Sequence, residues 1–195
     1  MKKERLEIFS DGIMAIVITI MVLEMKAPED TTFEALRPVI PTFLSYVLSF
    51  VYIAIYWINH HHLFQSVDRV NAIVLWSNMH LLFWLSLIPF TTSWMGENHL
   101  ESIPVAFYGG ILLMCALAYR ILENTILQLH KQKTSLVSTL RGGKKEKLSI
   151  LLYFVAIPLA FVNVFISIGC YVSVAIIWFI PSRKLESALN EKEQV

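Results

Sequence analysis

Along the 195 residues, long apolar runs alternate with short polar ones, and the runs have the length of helices that cross a bilayer. A hydrocarbon core needs about 20 apolar residues as an α-helix. The pattern predicts six spans, at approximately 6–23, 39–61, 70–94, 105–129, 148–163 and 168–181. Pro38 and Pro41 fall in the first turns of the second span, where a missing N–H is tolerated. A polar stretch with Pro28, the turn Ser66-Val67-Asp68-Arg69 and the segment 96–104 separate the first four spans. The run from Leu148 to Ile180 is too long for one span and too short for two with a long loop, which predicts a tight hairpin near 163–169. The segment 130–147, with Arg141-Gly142-Gly143-Lys144-Lys145, is the longest and most basic connection. The charged tail from Pro181 is expected to start as helix and then fray. The expected fold class is an all-α membrane protein, with six transmembrane helices in one domain over residues 1–195.

Composition supports this. Hydrophobic residues make up 56% and charged residues 16%, where a soluble domain carries about 25% charged. Mean hydropathy is +0.60. The start, Met1-Lys2-Lys3 before an apolar run, has the outline of a signal peptide. The run holds Glu7 and Asp11, however, and no Ala-x-Ala-like site follows, so it is expected to be retained. Cys115 and Cys170 lie inside apolar runs and do not form a disulfide framework. With six spans and an inner N-terminus, only Lys26 and Arg37 of the 16 basic residues fall outside. That asymmetry predicts both termini in the cytoplasm. The outer loops carry Glu24, Glu29, Asp30, Glu34, Glu97 and Glu101, whose field would concentrate cations.

The polar residues inside the spans narrow the chemistry. Asp11 lies about 9 Å along the first helix from Arg5. A carboxylate there is costly and needs donors. Ser10, Asp11, His60 or His61, Asn78 and His80 share a similar depth on the first three spans, which predicts a hydrogen-bonded knot joining them. The run His60-His61-His62 cannot converge on one ion, because successive helical residues point about 100° apart. The positions four residues from His60 are Tyr56 and Phe64, so no metal site is expected. No Gly-x-Ser-x-Gly, Walker loop, His-Glu-x-x-His or Gly-x-Gly-x-x-Gly occurs, so neither an enzyme nor a cofactor is expected. Nothing indicates nucleic-acid binding. Ile16, Ile20 and Leu23, at i, i+4 and i+7, fall on one face of the first helix. Spacing alone leaves that stripe open between helix packing and a pore wall.

Arg5-x-x-x-Phe9-Ser10-Asp11, continued by Ala15-Ile16-x-x-Thr19, closely resembles the first-helix signature of the transmembrane protein 175 family, potassium channels of lysosomes and prokaryotes. Trp57-x-x-His60-His61-x-x-Phe64 resembles the end of that family's second helix. Asp68-Arg69, Asn78-x-x-Leu81-Leu82 and Pro89-Phe90-x-Thr92 resemble its third. The resemblance implies a six-helix unit whose first helix lines a central pore, with one unit per chain assembling as a homotetramer. It implies apolar constrictions at Ile16, Ile20 and Leu23, and a potassium-favouring hydroxyl at Thr19. It also implies that Arg5, Phe9, Ser10 and Asp11 hold the pore helix against the others, and these join the polar cluster of His60, His61 and Asn78 read above from depth. Gly12 departs from the family pattern and would loosen the helix at that turn.

The implied function is a potassium-permeable cation channel in the cell (inner) membrane. Sodium and protons are further candidate permeants, and the bilayer and the chain itself are the partners. As in that family, the sequence has no Thr-Val-Gly-Tyr-Gly filter loop. The alternative is a small proton-coupled secondary transporter using Asp11 and the histidines as a relay. No inverted repeat and no matched pair of broken helices supports it. A membrane scaffold with Asp11 as a helix lock is a third class, and unitary currents would separate the channel from both.

Overall fold

The first apolar run forms an unbroken helix, α1 (Lys3–Leu23), that continues through Gly12. The computed structural model describes residues 3–28, 30–65, 67, 69–129 and 143–179. Leu6, Ser10, Met14, Val17 and Met21 of α1 are buried. Their spacing of three or four residues defines one face. At its start, the Lys3 ammonium donates to the Phe64 carbonyl at 3.1 Å, placing a cation at the last turn of the next helix.

A 3₁₀ turn (Glu34–Val39) carries Pro38 and leads into α2 (Ile40–Gln65). α2 runs about one turn beyond its expected end, so the three consecutive histidines are all helical. The third span is two helices, α3 (Ala72–Ser86) and α4 (Ile88–Glu97). Asn71 caps α3 by accepting from the Val74 N–H at 2.9 Å. The break at Leu87 has a local cause: Pro89, in the first turn of α4, has no N–H to return to the preceding turn. Then come α5 (Ser102–Leu129), α6 (Lys144–Leu159) and α7 (Val164–Phe179).

The hairpin between α6 and α7 occupies 160–163, earlier than the expected 163–169. Its side-chain carbonyl explains the position. Asn163 Oδ1 accepts from the Phe165 N–H at 2.9 Å and starts α7 there. Gly169 is an interior residue of α7. The basic connection is correspondingly shorter at its far end, since residues from Lys144 onward are already helical. The rest of that connection, 130–142, and the tail from 180 lie outside the described residues, as do Ser66 and Asp68 of the predicted turn.

Among the described residues the structure is helical, without strands. α1, α2, the α3–α4 pair and α5 are long and apolar enough to span a membrane. α6 and α7 have 16 residues each, about 24 Å at helical rise. α1 packs on α2, α3 and α4, while α5 packs on α3, α4, α6 and α7. Tyr52, Tyr108 and Tyr171 are fully buried between the helices. The Tyr52 hydroxyl donates to the Tyr171 carbonyl at 2.6 Å, and the Tyr171 hydroxyl to the Val105 carbonyl at 3.2 Å. Two glycines permit close crossings. A Cβ at Gly109 would overlap the Tyr171 hydroxyl, and one at Gly96 would lie 2.5 Å from Thr42 Cα. An Arg120–Glu146 ion pair ties α5 to α6. Glu123, one turn along from Arg120, is buried with its Oε2 3.6 Å from that guanidinium.

Candidate functional site

α1 divides lengthwise into two faces. Opposite its buried face, Ile16 is 58%, Ile20 41% and Leu23 74% exposed on the protomer. Thr19 lies among them, and its hydroxyl donates to the Ala15 carbonyl one turn back at 2.9 Å. The hydroxyl hydrogen is thus used within the helix, and the oxygen's lone pairs remain available outward. Gly12 and Ala15 are exposed as well, and so are Arg5 and Phe9. A face that mixes a guanidinium, a hydroxyl and small residues with isoleucines is unsuited to lipid tails. It is suited to water or to another copy of the helix. Val17, one residue from Ile16, is 3% exposed and belongs to the packed side.

Of the residues expected to share a depth, Ser10, His60 and Asn78 meet in one hydrogen-bonded knot. Ser10 donates to the Leu6 carbonyl at 2.8 Å and accepts from Asn78 Nδ2 at 2.9 Å. Asn78 Oδ1 is 2.8 Å from His60 Nε2, so the imidazole carries its proton on that nitrogen. All three side chains are buried. One amide with a donor and an acceptor therefore joins α1, α3 and α2. The His60 ring packs on Phe64 with centroids 4.5 Å apart.

Asp11, His61 and His80 are not part of this knot. Asp11 projects to the protomer surface, where its Oδ1 accepts from the Trp57 indole N–H at 3.0 Å. Trp57 in turn stacks on His61, which pairs with Gln65 one turn on. His80 accepts from the Trp84 indole at 3.0 Å. Of the four signature residues on α1, Ser10 alone is buried. Within the protomer, Arg5 and Phe9 therefore do not clamp α1 to its neighbours, because helical periodicity turns them to the outward face. No group of three metal-ligating side chains occurs among the described residues.

Two features escaped the sequence reading. Trp57 was visible only as a motif position, and its role as the donor to Asp11 depends on how α2 is rotated against α1. The Arg120–Glu146 pair joins the fourth span to the fifth, and its one sequence signal is the charged residues inside the fourth apolar run.

Comparison with known proteins follows the same lines. The family model described as endosomal/lysosomal potassium channel TMEM175 matches residues 5–89, from α1 into α4. A relative from Chryseobacterium sp. (strain P1-3), named a potassium channel, is 50% identical over 191 residues, 98% of this chain and 100% of its own. Another from Chamaesiphon minutus, also named a potassium channel, is 32% identical and covers 86% of this chain and 89% of its own. The crystal structure of a lysosomal potassium-selective channel TMEM175 homolog from Chamaesiphon minutus superposes with a TM-score of 0.73 at 28% identity, covering 90% of this chain and 95% of that one. With the signature on α1, the polar knot behind it and near full-length similarity to these relatives, the chain belongs to the TMEM175 family.

Proposed function

We propose that this chain is a passive, potassium-permeable channel in which the α1 helices of a homotetramer line a central pore. The observation that carries the proposal is the division of α1: Ile16, Ile20 and Leu23 are exposed while the opposite face is locked into the protomer. Four copies around an axis turn the exposed stripe into three stacked apolar rings, about 10 Å from first to last. Such rings resist wetting and can gate by excluding water. They offer no oxygen to replace an ion's hydration shell. Thr19, whose oxygen is free to accept, is the polar layer that supports potassium over sodium. Sodium and protons are the permeants against which selectivity is measured. The six spans act as one domain in the cell membrane with both termini cytoplasmic, as the distribution of lysine and arginine supports.

The polar residues favour a channel over a proton-coupled transporter. Asp11 is bonded to an indole N–H, which donates but does not accept, and not to a histidine that could pass a proton onward. Purified protein in planar bilayers under a potassium gradient tests the reading. Unitary currents that reverse near the potassium equilibrium potential are expected, and transport without unitary events would overturn it. Labelling of cysteines placed at Lys145 and Glu97 in intact cells tests orientation, with outside reactivity expected at position 97 only.

A further inference from the structure

The knot at Ser10 fixes the inner half of α1, but the proposed constriction lies in the outer half, and a second set of hydroxyls stands directly behind it. Met21 lies on the buried face of α1 between Ile20 and Leu23 and is 2% exposed. Its sulfur is 3.9 Å from Thr92 Oγ1 on α4. Thr92 is itself 3% exposed, and its hydroxyl is 2.7 Å from the Ile88 carbonyl and 2.7 Å from Ser49 Oγ on α2. Ser49 Oγ is also 3.0 Å from the Tyr108 hydroxyl on α5. Ser49 and Tyr108 are fully buried.

The donors sort into one direction. The Ile88 carbonyl can only accept, so Thr92 donates to it. Ser49 then donates to Thr92, and Tyr108 donates to Ser49. The chain Tyr108 → Ser49 → Thr92 → Ile88 thus joins α5, α2 and α4. It ends on the carbonyl just past the break between α3 and α4, where Thr91 also donates at 3.1 Å. In a dry interior such a chain is directional and stiff, because each hydroxyl has one proton and its partner is already chosen. The same helix α4 is pressed onto α2 at Gly96, where there is no room for a Cβ against Thr42. Thr92 is therefore held from three sides and presents a fixed surface to Met21.

We propose that Thr92, oriented by Ser49 and Tyr108, is a positioning residue for the pore. Through Met21 it sets how far the outer half of α1, with Ile20 and Leu23, stands from the pore axis. The inference rests on the conduction reading above and adds a residue that touches no ion. Whether an apolar ring wets depends on its diameter, and the reach of the Thr19 oxygen toward an ion depends on the same distance of α1 from the axis; a packed contact behind the helix is what keeps that distance constant.

The test is recorded on full-length protein in planar bilayers, as unitary conductance and as reversal potential under opposed potassium and sodium. Thr92→Val keeps the shape and removes the hydroxyl. It is expected to change unitary conductance and to lower the potassium-to-sodium permeability ratio by about two- to tenfold, within the range of couplings passed through packed contacts. Thr92→Ser, which retains the hydroxyl, is expected to restore most of the ratio. Ser49→Ala, which leaves Thr92 bonded to Ile88, is expected to give a smaller shift in the same direction. Ser173→Ala, which removes an exposed hydroxyl on α7, is expected to change nothing. Wild-type conductance and selectivity in a well-assembled Thr92→Val channel would overturn the inference while leaving the conduction reading intact. Failure of both Thr92→Val and Ser49→Ala to assemble would also overturn it, because the hydroxyls would then serve folding and not the pore. A wild-type protein that passes no potassium current overturns the conduction reading, and the inference falls with it.

Discussion

The Trp57 indole donates to Asp11 Oδ1 at 3.0 Å on the protomer surface, while Ser10, one residue earlier, is sealed inside. Adjacent helical residues point about 100° apart, so two neighbours in one signature serve two different contacts. Ser10 binds α1 to its own protomer. Asp11 and Trp57 form an edge at the protomer surface, which is open to contact in the proposed tetramer.

Asp11→Ala is therefore expected to reduce the tetramer fraction in native mass measurements while leaving the reversal potential near wild type. The indole left behind loses a charged acceptor, worth about 1.5–3 kcal/mol where water is excluded and less where it is not. Trp57→Phe should reproduce the defect, because it removes the other half of the same bond. Arg5→Ala, on the same outward face, should also weaken assembly. Normal assembly of Asp11→Ala with an altered potassium-to-sodium ratio would place Asp11 in selection instead.

The buried knot predicts a stability effect that does not add. Asn78→Leu leaves the buried His60 N–H without its acceptor, a cost of roughly 1–3 kcal/mol, and leaves Ser10 with only its bond to the Leu6 carbonyl. Once Asn78 is gone, Ser10→Ala removes a hydroxyl that keeps only its local bond to the Leu6 carbonyl. The double variant should therefore lose clearly less than the sum of the singles in thermal unfolding. Strict additivity would mean that the three side chains do not act together.

Gly109 should tolerate no side chain while Tyr171 stands opposite. A Cβ there would overlap the phenolic oxygen and lie 2.6 Å from Cζ of the same ring. Overpacking of this kind costs typically about 1–3 kcal/mol. Tyr171→Phe shortens the ring by its hydroxyl at the cost of the bond to the Val105 carbonyl. Gly109→Ala should therefore lower the unfolding temperature, and adding Tyr171→Phe should recover part of the loss. A double variant worse than Gly109→Ala alone would locate the damage elsewhere.

What the sequence could disclose here depended on how local each relationship is. That Ile16, Ile20 and Leu23 share one face of α1 is legible because helical periodicity sets it without reference to any other helix, while the outward direction of that face needed the folded chain. The knot of Ser10, His60 and Asn78 is legible in outline because depth follows from counting along each span. The choice between His60 and His61 as its member was not, since that turns on the rotation of α2. The same rotation brought Trp57 to Asp11. The hairpin was expected over 163–169 and lies at 160–163, because the Asn163 side chain is the group that starts the following helix. The break at Leu87 could be suspected from Pro89. The link from that break through Thr92 to Met21 joins residues 71 apart in sequence and needed the folded chain.

The pore face gives the sharpest contrast, because Ile16 and Val17 are adjacent and differ in little except direction. Ile16 is 58% exposed and Val17 3% exposed. If α1 lines the pore, Ile16 forms the first apolar ring met from the cytoplasmic side and limits conductance. Ile16→Asn places an amide in that ring, which lowers the cost of wetting it, so current should rise. The same amide offers an oxygen and a donor to any hydrated cation, so discrimination between potassium and sodium should weaken. Val17→Asn should do neither. It would bury an amide without a partner on the packed face, between Met14 and Met21 one turn to either side, a cost of about 1–3 kcal/mol, and should appear as poor expression or a lowered unfolding temperature. Recording both variants at matched surface density separates the two faces. Equal currents for wild type and Ile16→Asn would remove Ile16 from the pore wall and leave its exposure to be explained by contact between protomers.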